Sequence, residues 1–124
     1  MTASTVAADT APPLAGFRVI ELGTGSVIGH AGWLLSLLGA DVVLVEPPGG
    51  HPDRRPLRAG TDDPPVLFEF RHGGKRSVEL DPSKASDRQA LRELTRGAHA
   101  VLEALGPGEV ERTWGLDNVR PPHG

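Results

Sequence analysis

Apolar residues gather along this chain in short runs divided by glycine, proline and charge, and the runs alternate between two periods. Phe17-Arg-Val-Ile-Glu-Leu22 has the length and β-branching of a strand and ends at Gly23-Thr-Gly25-Ser26. From Val27 to Leu38 the apolar positions Ile28, Ala31, Leu34, Leu35 and Leu38 fall at helical spacing, and Gly39 is a natural stop. Asp41-Val-Val-Leu-Val-Glu46 has an unbroken apolar middle, as in a strand covered on both faces. Strand, glycine turn, helix, strand is a βαβ unit, whose crossover is right-handed. The stretch from Pro47 to Pro65 is too rich in proline, glycine and charge to be regular, and loops of that length are usually functional or mobile. Val66 to Phe70 is apolar but of open type. Arg76 to Leu80 alternates as a third strand, and Lys84 to Arg96 forms a helix with Ala90, Leu91 and Leu94 as its apolar stripe. His99 to Leu105 is a fourth strand, and Gly106-Pro-Gly108 opens a short helix over Glu109 to Trp114. Residues 1–13 are small and polar and predict a disordered lead-in, and 120–124 a flexible tail.

This alternation predicts an α/β architecture with a mostly parallel sheet of about four strands. Ligands of such sheets sit at the carboxyl ends of the strands. Those ends carry the loops Gly23–Gly29, Pro47–Pro65, Asp81–Lys84 and Gly106–Gly108.

Composition narrows the function classes. With 124 residues the chain makes one small domain. A net charge of −3 with both signs scattered argues against nucleic acid. No apolar run is long enough to span a membrane, and Met1 to Pro13 lacks the pattern of a secretory signal. The absence of cysteine removes thiolate metal sites and thiol nucleophiles and fits a cytoplasmic setting. Aromatic residues are only 4%, so the core rests on Leu, Val, Ile and Ala and a partner surface would help it.

Three motifs invite a chemical reading. Gly23, Gly25 and Gly29 after the first strand, with Glu46 closing the second, could hold a dinucleotide phosphate and ribose. The spacing is one residue too long for the usual fingerprint, and a tight turn without ligand explains the glycines equally. Gly73-Gly74-Lys75-Arg76-Ser77 resembles a phosphate loop but leads into a strand. A basic turn entering an edge strand fits it better, with Lys75 and Arg76 free to meet a phosphate or an acidic partner. The five histidines (His30, His51, His72, His99 and His123) show no metal-binding spacing, so no metal is expected. His30, in the first turn of the first helix, lies nearest the expected ligand face. Trp33 and Trp114 read as core or interface residues.

Taken together, four segments resemble the class III CoA-transferase (CaiB/BaiF) family, which groups formyl-CoA transferase, carnitine-CoA transferase and α-methylacyl-CoA racemase. They are Pro13-Leu-Ala-Gly-Phe-Arg-Val-Ile-Glu-Leu-Gly-Thr-Gly25, Leu38-Gly-Ala-Asp-Val-Val-Leu-Val-Glu-Pro-Pro48, Gly74-Lys-Arg-Ser-Val-Glu-Leu-Asp81 and Gly106-Pro-Gly-Glu-Val-Glu-Arg-Thr-Trp-Gly-Leu116. The resemblance implies a Rossmann-like three-layer domain over 14–119, truncated relative to the family, with coenzyme A or acyl-CoA as ligand and no metal. It further implies a dimer or a complementing C-terminal chain as partner. The family's transferases pass the acyl group through an aspartyl intermediate and its racemases use a His and an Asp. Those residues fall downstream of the matched region, so none is carried over.

The expected CoA contacts are Gly25, Ser26 and Val27 at the glycine turn, Leu80 and Lys84 after the third strand, Leu105 before the glycine-proline-glycine turn and Arg112 after it. Leu80 and Arg112 match the family's positions. Val27-Ile28-Gly29 departs from its A-G-P, Ser83 replaces a lysine that Lys84 adjoins, and Ala104-Leu105 replaces an Asn-aromatic pair. Hence the chain is expected to bind CoA without catalysing transfer alone. The alternatives are a degenerate interaction or regulatory domain and, further off, an NAD(P)-binding domain.

Overall fold

The structure, a computed structural model, describes residues 10–116; positions 1–9 of the expected lead-in, the end of the expected domain at 117–119 and the whole expected tail at 120–124 lie outside the described residues. In chain order it contains β1 (Arg18–Leu22), α1 (Ser26–Leu37), β2 (Asp41–Glu46), a 3-10 turn (Pro52–Arg54), α2 (Val66–His72), β3 (Arg76–Glu79), α3 (Ala85–Arg96), β4 (Ala100–Glu103) and α4 (Glu109–Trp114). Each expected strand and helix is present within a residue or two of its predicted ends. The segment of open type, Val66–Phe70, is helical. Its helix closes at Gly73, where the amide bonds back to the Glu69 carbonyl at 3.1 Å.

The strands are parallel and ordered β3-β2-β1-β4. Ile20 stands opposite Val43 on one side and Val101 on the other, so β1 is central. The chain runs from β1 outward through β2 to β3, then crosses back to β4 on the far side of β1. A topological switch therefore lies between β1 and β4, where parallel sheets open a crevice for ligands.

Strand alternation sends the two faces to different layers. Ile20, Leu22, Val43 and Val45 pack under α3 and α4 against Leu91, Val110 and Trp114. Val19 and Val42 face the α1 layer with Leu35 and Ala40. Glu21 points to this second face as well and is fully buried. An ionised carboxylate there is costly unless a cation meets it. The cation is Lys75, at the turn before β3: its Nζ donates to Glu21 Oε1 at 2.8 Å and to the Gly29 carbonyl at 2.9 Å.

The pair fits only because α1 is glycine-lined where it crosses β1. A Cβ at Gly32 would overlap the Glu21 carboxylate and crowd Lys75 Nζ. At Gly29 a Cβ would come within 3.3 Å of the His72 ring, so that glycine sets the approach of α1 to α2. Gly32→Ala should therefore destabilise the domain by about 3 kcal/mol or more, as overpacking and a disturbed buried charge act together. Urea denaturation measures it, and an unchanged midpoint would contradict this packing.

Candidate functional site

A cavity of about 240 Å³ opens at the carboxyl end of the sheet, at the switch between β1 and β4. Every strand contributes its last residues: Leu22 and Gly23 from β1, Val45 from β2, Leu80 just past β3, and Ala104 and Leu105 just past β4. Pro47 and Pro48 form one rim and Pro82 another, while Thr113 and Trp114 of α4 close the side. Gly23 is required at this junction. Its φ is +111°, and an added Cβ would lie 3.2 Å from the backbone nitrogen and the Cβ of Ala104. The walls are predominantly apolar, the lining that suits a flat, weakly polar ring system.

Of the expected contacts, Leu80 and Leu105 line this cavity together. Arg112 stands on α4 next to the lining residue Thr113, with its guanidinium turned along its own helix to Glu109 Oε1 at 2.5 Å and the Pro107 carbonyl at 3.1 Å. Lys84 caps the start of α3, exposed, two positions beyond the rim residue Pro82. Gly25, Ser26 and Val27 lie at the start of α1 just past the lining residue Thr24, all exposed and none in the wall. His30 lies outside the cavity too, its ring 5.4 Å from that of Trp33. Trp114 is a core residue, as expected, and Trp33 stacks on Phe70 at 6.2 Å.

On the opposite face lies a polar cluster that sequence spacing does not reveal. Lys75 Nζ approaches His72 Nδ1 at 2.9 Å, and His72 Nε2 lies 3.0 Å from Asp53 Oδ2. The ammonium can only donate, so Nδ1 accepts and the proton of the neutral ring sits on Nε2, directed at Asp53. Arg71 donates to Asp53 Oδ1 at 3.1 Å, and the Asp53 amide donates to His51 Nδ1 at 3.0 Å. Burial is the main cause that brings the His72 pKa down to about 4, and it lowers that of His51 as well. Burial works against the Asp53 carboxylate, but bonds from His72 and Arg71 outweigh it and keep its pKa below the usual range. Burial also raises the Glu21 pKa, with Lys75 opposing. Glu21 Oε2 has no hydrogen-bond partner.

Histidines expected to be scattered are thus brought together. Ligand atoms of His51, Asp53 and His72 lie within 4.8 Å of one another. His30, favoured by its position in the sequence, belongs to no such group among the described residues. One sequence signal did point here: a glutamate in the middle of an otherwise apolar buried strand demands a partner.

Glu46 has a different task from the one a dinucleotide site would give it. Its Oε2 accepts from the His51 amide at 2.7 Å and from Arg54 Nε at 2.8 Å, and its Oε1 accepts from Arg54 Nη2 at 2.7 Å. This clamp folds the proline-rich loop onto the end of β2, and the Arg54 guanidinium covers the Phe68 ring at 3.7 Å. A carboxylate so occupied is not free to grip a ribose, so the dinucleotide reading of Glu46 fails. Likewise Gly29 lies inside α1 against His72 rather than at a phosphate.

The Arg54 bonds, foremost, hold the Glu46 pKa at about 2, below its ordinary 4.5. A depressed carboxyl contributes stability that is present above the ordinary value and lost as pH falls toward the folded one. Replacing the guanidinium in R54M should cost about 1–3 kcal/mol at neutral pH. The gap to the parent should close as pH falls from 4.5 toward 2. Urea denaturation across that range checks it; a gap independent of pH would contradict the clamp.

CoA-transferase family III matches residues 14–120. A probable fatty acyl-CoA transferase of Mycobacterium tuberculosis is 39% identical over 114 residues, covering 89% of this chain and 29% of that protein. The formyl-CoA:oxalate CoA-transferase of Streptomyces coelicolor is 36% identical over 108 residues, covering 85% of this chain and 26% of the enzyme. Among solved structures, a CaiB/BaiF family protein from Brucella suis superposes with a TM-score of 0.77 at 30% identity, over 90% of this chain and 32% of that one. The chain thus spans less than a third of the length of the curated relatives it matches. With the four-stranded parallel sheet and the order of its segments, these likenesses settle the lineage: the chain belongs to CoA-transferase family III.

Proposed function

We propose that this chain is the CoA- or acyl-CoA-binding N-terminal part of a class III CoA-transferase-like protein. The observation that carries the reading is the apolar cavity at the switch point, which brings Leu80 and Leu105 together although they are 25 residues apart in sequence. At about 240 Å³ it falls below the ~300–1,000 Å³ of a pocket for a whole drug-sized ligand, so it suits the adenine end of CoA alone. In this reading the phosphates reach out toward Arg112 and Lys84, and Arg112 exchanges its Glu109 partner for phosphate. The glycine turn at Gly25, Ser26 and Val27 borders the path of the pantetheine arm. Acyl transfer itself is assigned to parts of the relatives that this chain does not cover. The protein is expected to work in the cytoplasm, where its acyl-CoA ligands are made and consumed.

A second reading, an interaction domain, has its own observation. Val27, Leu37 and Phe70 on the α1–α2 side are 85%, 61% and 69% exposed. An apolar surface of this kind fits a complementing C-terminal chain or a second copy. No helix among the described residues is long and apolar enough to cross a membrane.

Calorimetric titration with CoA and acetyl-CoA separates the two. The proposal predicts a micromolar dissociation constant that weakens with salt, with Trp114 fluorescence changing on binding. Ala104→Trp fills the cavity mouth and should weaken binding at least tenfold, about 1.4 kcal/mol. Absence of binding at millimolar CoA by a folded protein would overturn the ligand-binding reading and leave the interaction domain.

A further inference from the structure

We propose that the outer face of α1, with the adjoining face of α2, pairs with the same face of a second copy of this chain about a two-fold axis close to Leu34. The pairing does not depend on the ligand-binding reading; it names the occupant that the interaction-domain reading leaves open.

α1 is apolar on both sides, the pattern of a helix covered on both. Its residues, Ser26–Leu37, include no Asp, Glu, Lys or Arg. Ile28, Gly29 and Gly32 form the buried side. The outer side carries Val27, His30, Leu34 and Leu37, all exposed and spaced by three, four and three residues. That spacing is the seam along which one helix packs on another. Leu38, exposed as well, continues it past the helix end. Trp33 carries the patch onto α2: its ring lies 5.4 Å from that of His30 and stacks on Phe70 at 6.2 Å. One turn before Phe70 the exposed Val66 extends it, with Glu69 at the margin. Leu34, Leu37, Leu38, Val66 and Phe70 are each 44–69% exposed. Residues of this size present on the order of 500 Å² of largely apolar surface, most of the ~800 Å² that each member of a stable pair buries.

Two features select a second copy as the occupant. In a two-fold contact the groups near the axis meet their own counterparts, so a charged face repels itself. Here no fixed charge lies along α1, and the middle of the patch is the aliphatic Leu34. The seam is also self-complementary in shape about that residue. Antiparallel copies centred on Leu34 set Leu37 over the small Ala31 and Leu38 against His30. Val27 then lies beyond the paired stretch, so the glycine turn stays open. The cavity is walled by α4, which packs on the other face of the sheet, and it remains open too.

Sedimentation equilibrium of the whole chain over a concentration series tests the pairing. A dimer is expected. L34K and L37K should weaken it at least a hundredfold, because each substitution enters the contact twice, and Q89K on the exposed side of α3 should leave it unchanged. The chain has no cysteine, so L34C supplies a second readout. Oxidised L34C should run as a covalent dimer, since Cβ atoms beside a two-fold axis can reach the ~3.8 Å of a disulfide, whereas Q89C should not. L34K should titrate with CoA as the parent does, so pairing and ligand binding fail independently. A parent chain that stays monomeric at millimolar concentration would leave the face to a complementing chain and overturn the pairing. Dimers that persist in L34K and L37K would overturn it as well. Should the lysine variants fail to fold by circular dichroism, L34C decides: crosslinking no faster than that of Q89C contradicts the pairing.

Discussion

Inside the layer between α1, α2 and the sheet, the ammonium of Lys75 is enclosed by Glu21, the Gly29 carbonyl and His72. A single side chain thereby joins the central strand, the first helix, the end of the second helix and the entry to an edge strand. Removing either charge would leave the other buried without its counter-charge, a loss of about 3–5 kcal/mol for such pairs. Other features follow from this one. α1 must present glycine at positions 29 and 32, and α2 must end where His72 can accept from Lys75. The turn Gly73-Gly74 then delivers Lys75 inward, so that β3 starts in register with β2.

The network extends outward through Asp53 and His51 to the Glu46–Arg54 clamp. A stretch that composition marks as irregular is thus pinned at its first half by buried hydrogen bonds. Its proline pair is held at the edge of the sheet, where the cavity opens. The two faces of the sheet therefore divide the work. The α3–α4 face supplies an ordinary aliphatic core and the wall of the cavity, and the α1–α2 face supplies the polar scaffold that fixes the loop.

Much of the fold is legible in the sequence because strands and helices here obey their periods closely. β2 reads as a buried parallel strand from its apolar middle, and α3 reads from its single stripe. Val66–Phe70 is ambiguous because a short apolar run carries no period long enough to separate helix from strand. The site is legible only in part. Leu80 and Leu105 follow strand ends, and strand ends converge in a parallel sheet, so a family resemblance can place them. Gly25, Ser26, Val27 and Lys84 lie beside the lining residues without entering the wall. The cluster of His51, Asp53, His72, Lys75 and Glu21 comes from loop, turn, helix and strand, and only the packing of α2 on α1 brings these together. Glu21 alone announced it, as a charge inside an apolar strand.

The central claim is that the cavity between β1 and β4 is where this domain meets its ligand. Methyl-resolved NMR of the chain during titration with CoA tests it most directly. The account predicts the largest shifts at Leu22, Val45, Leu80 and Leu105, a smaller one at Val27 beside the pantetheine path, and the methyls of Val19, Val42 and Leu35 on the opposite face unmoved. Shifts centred on Leu34 and Leu37 of α1 with the cavity methyls silent would contradict it.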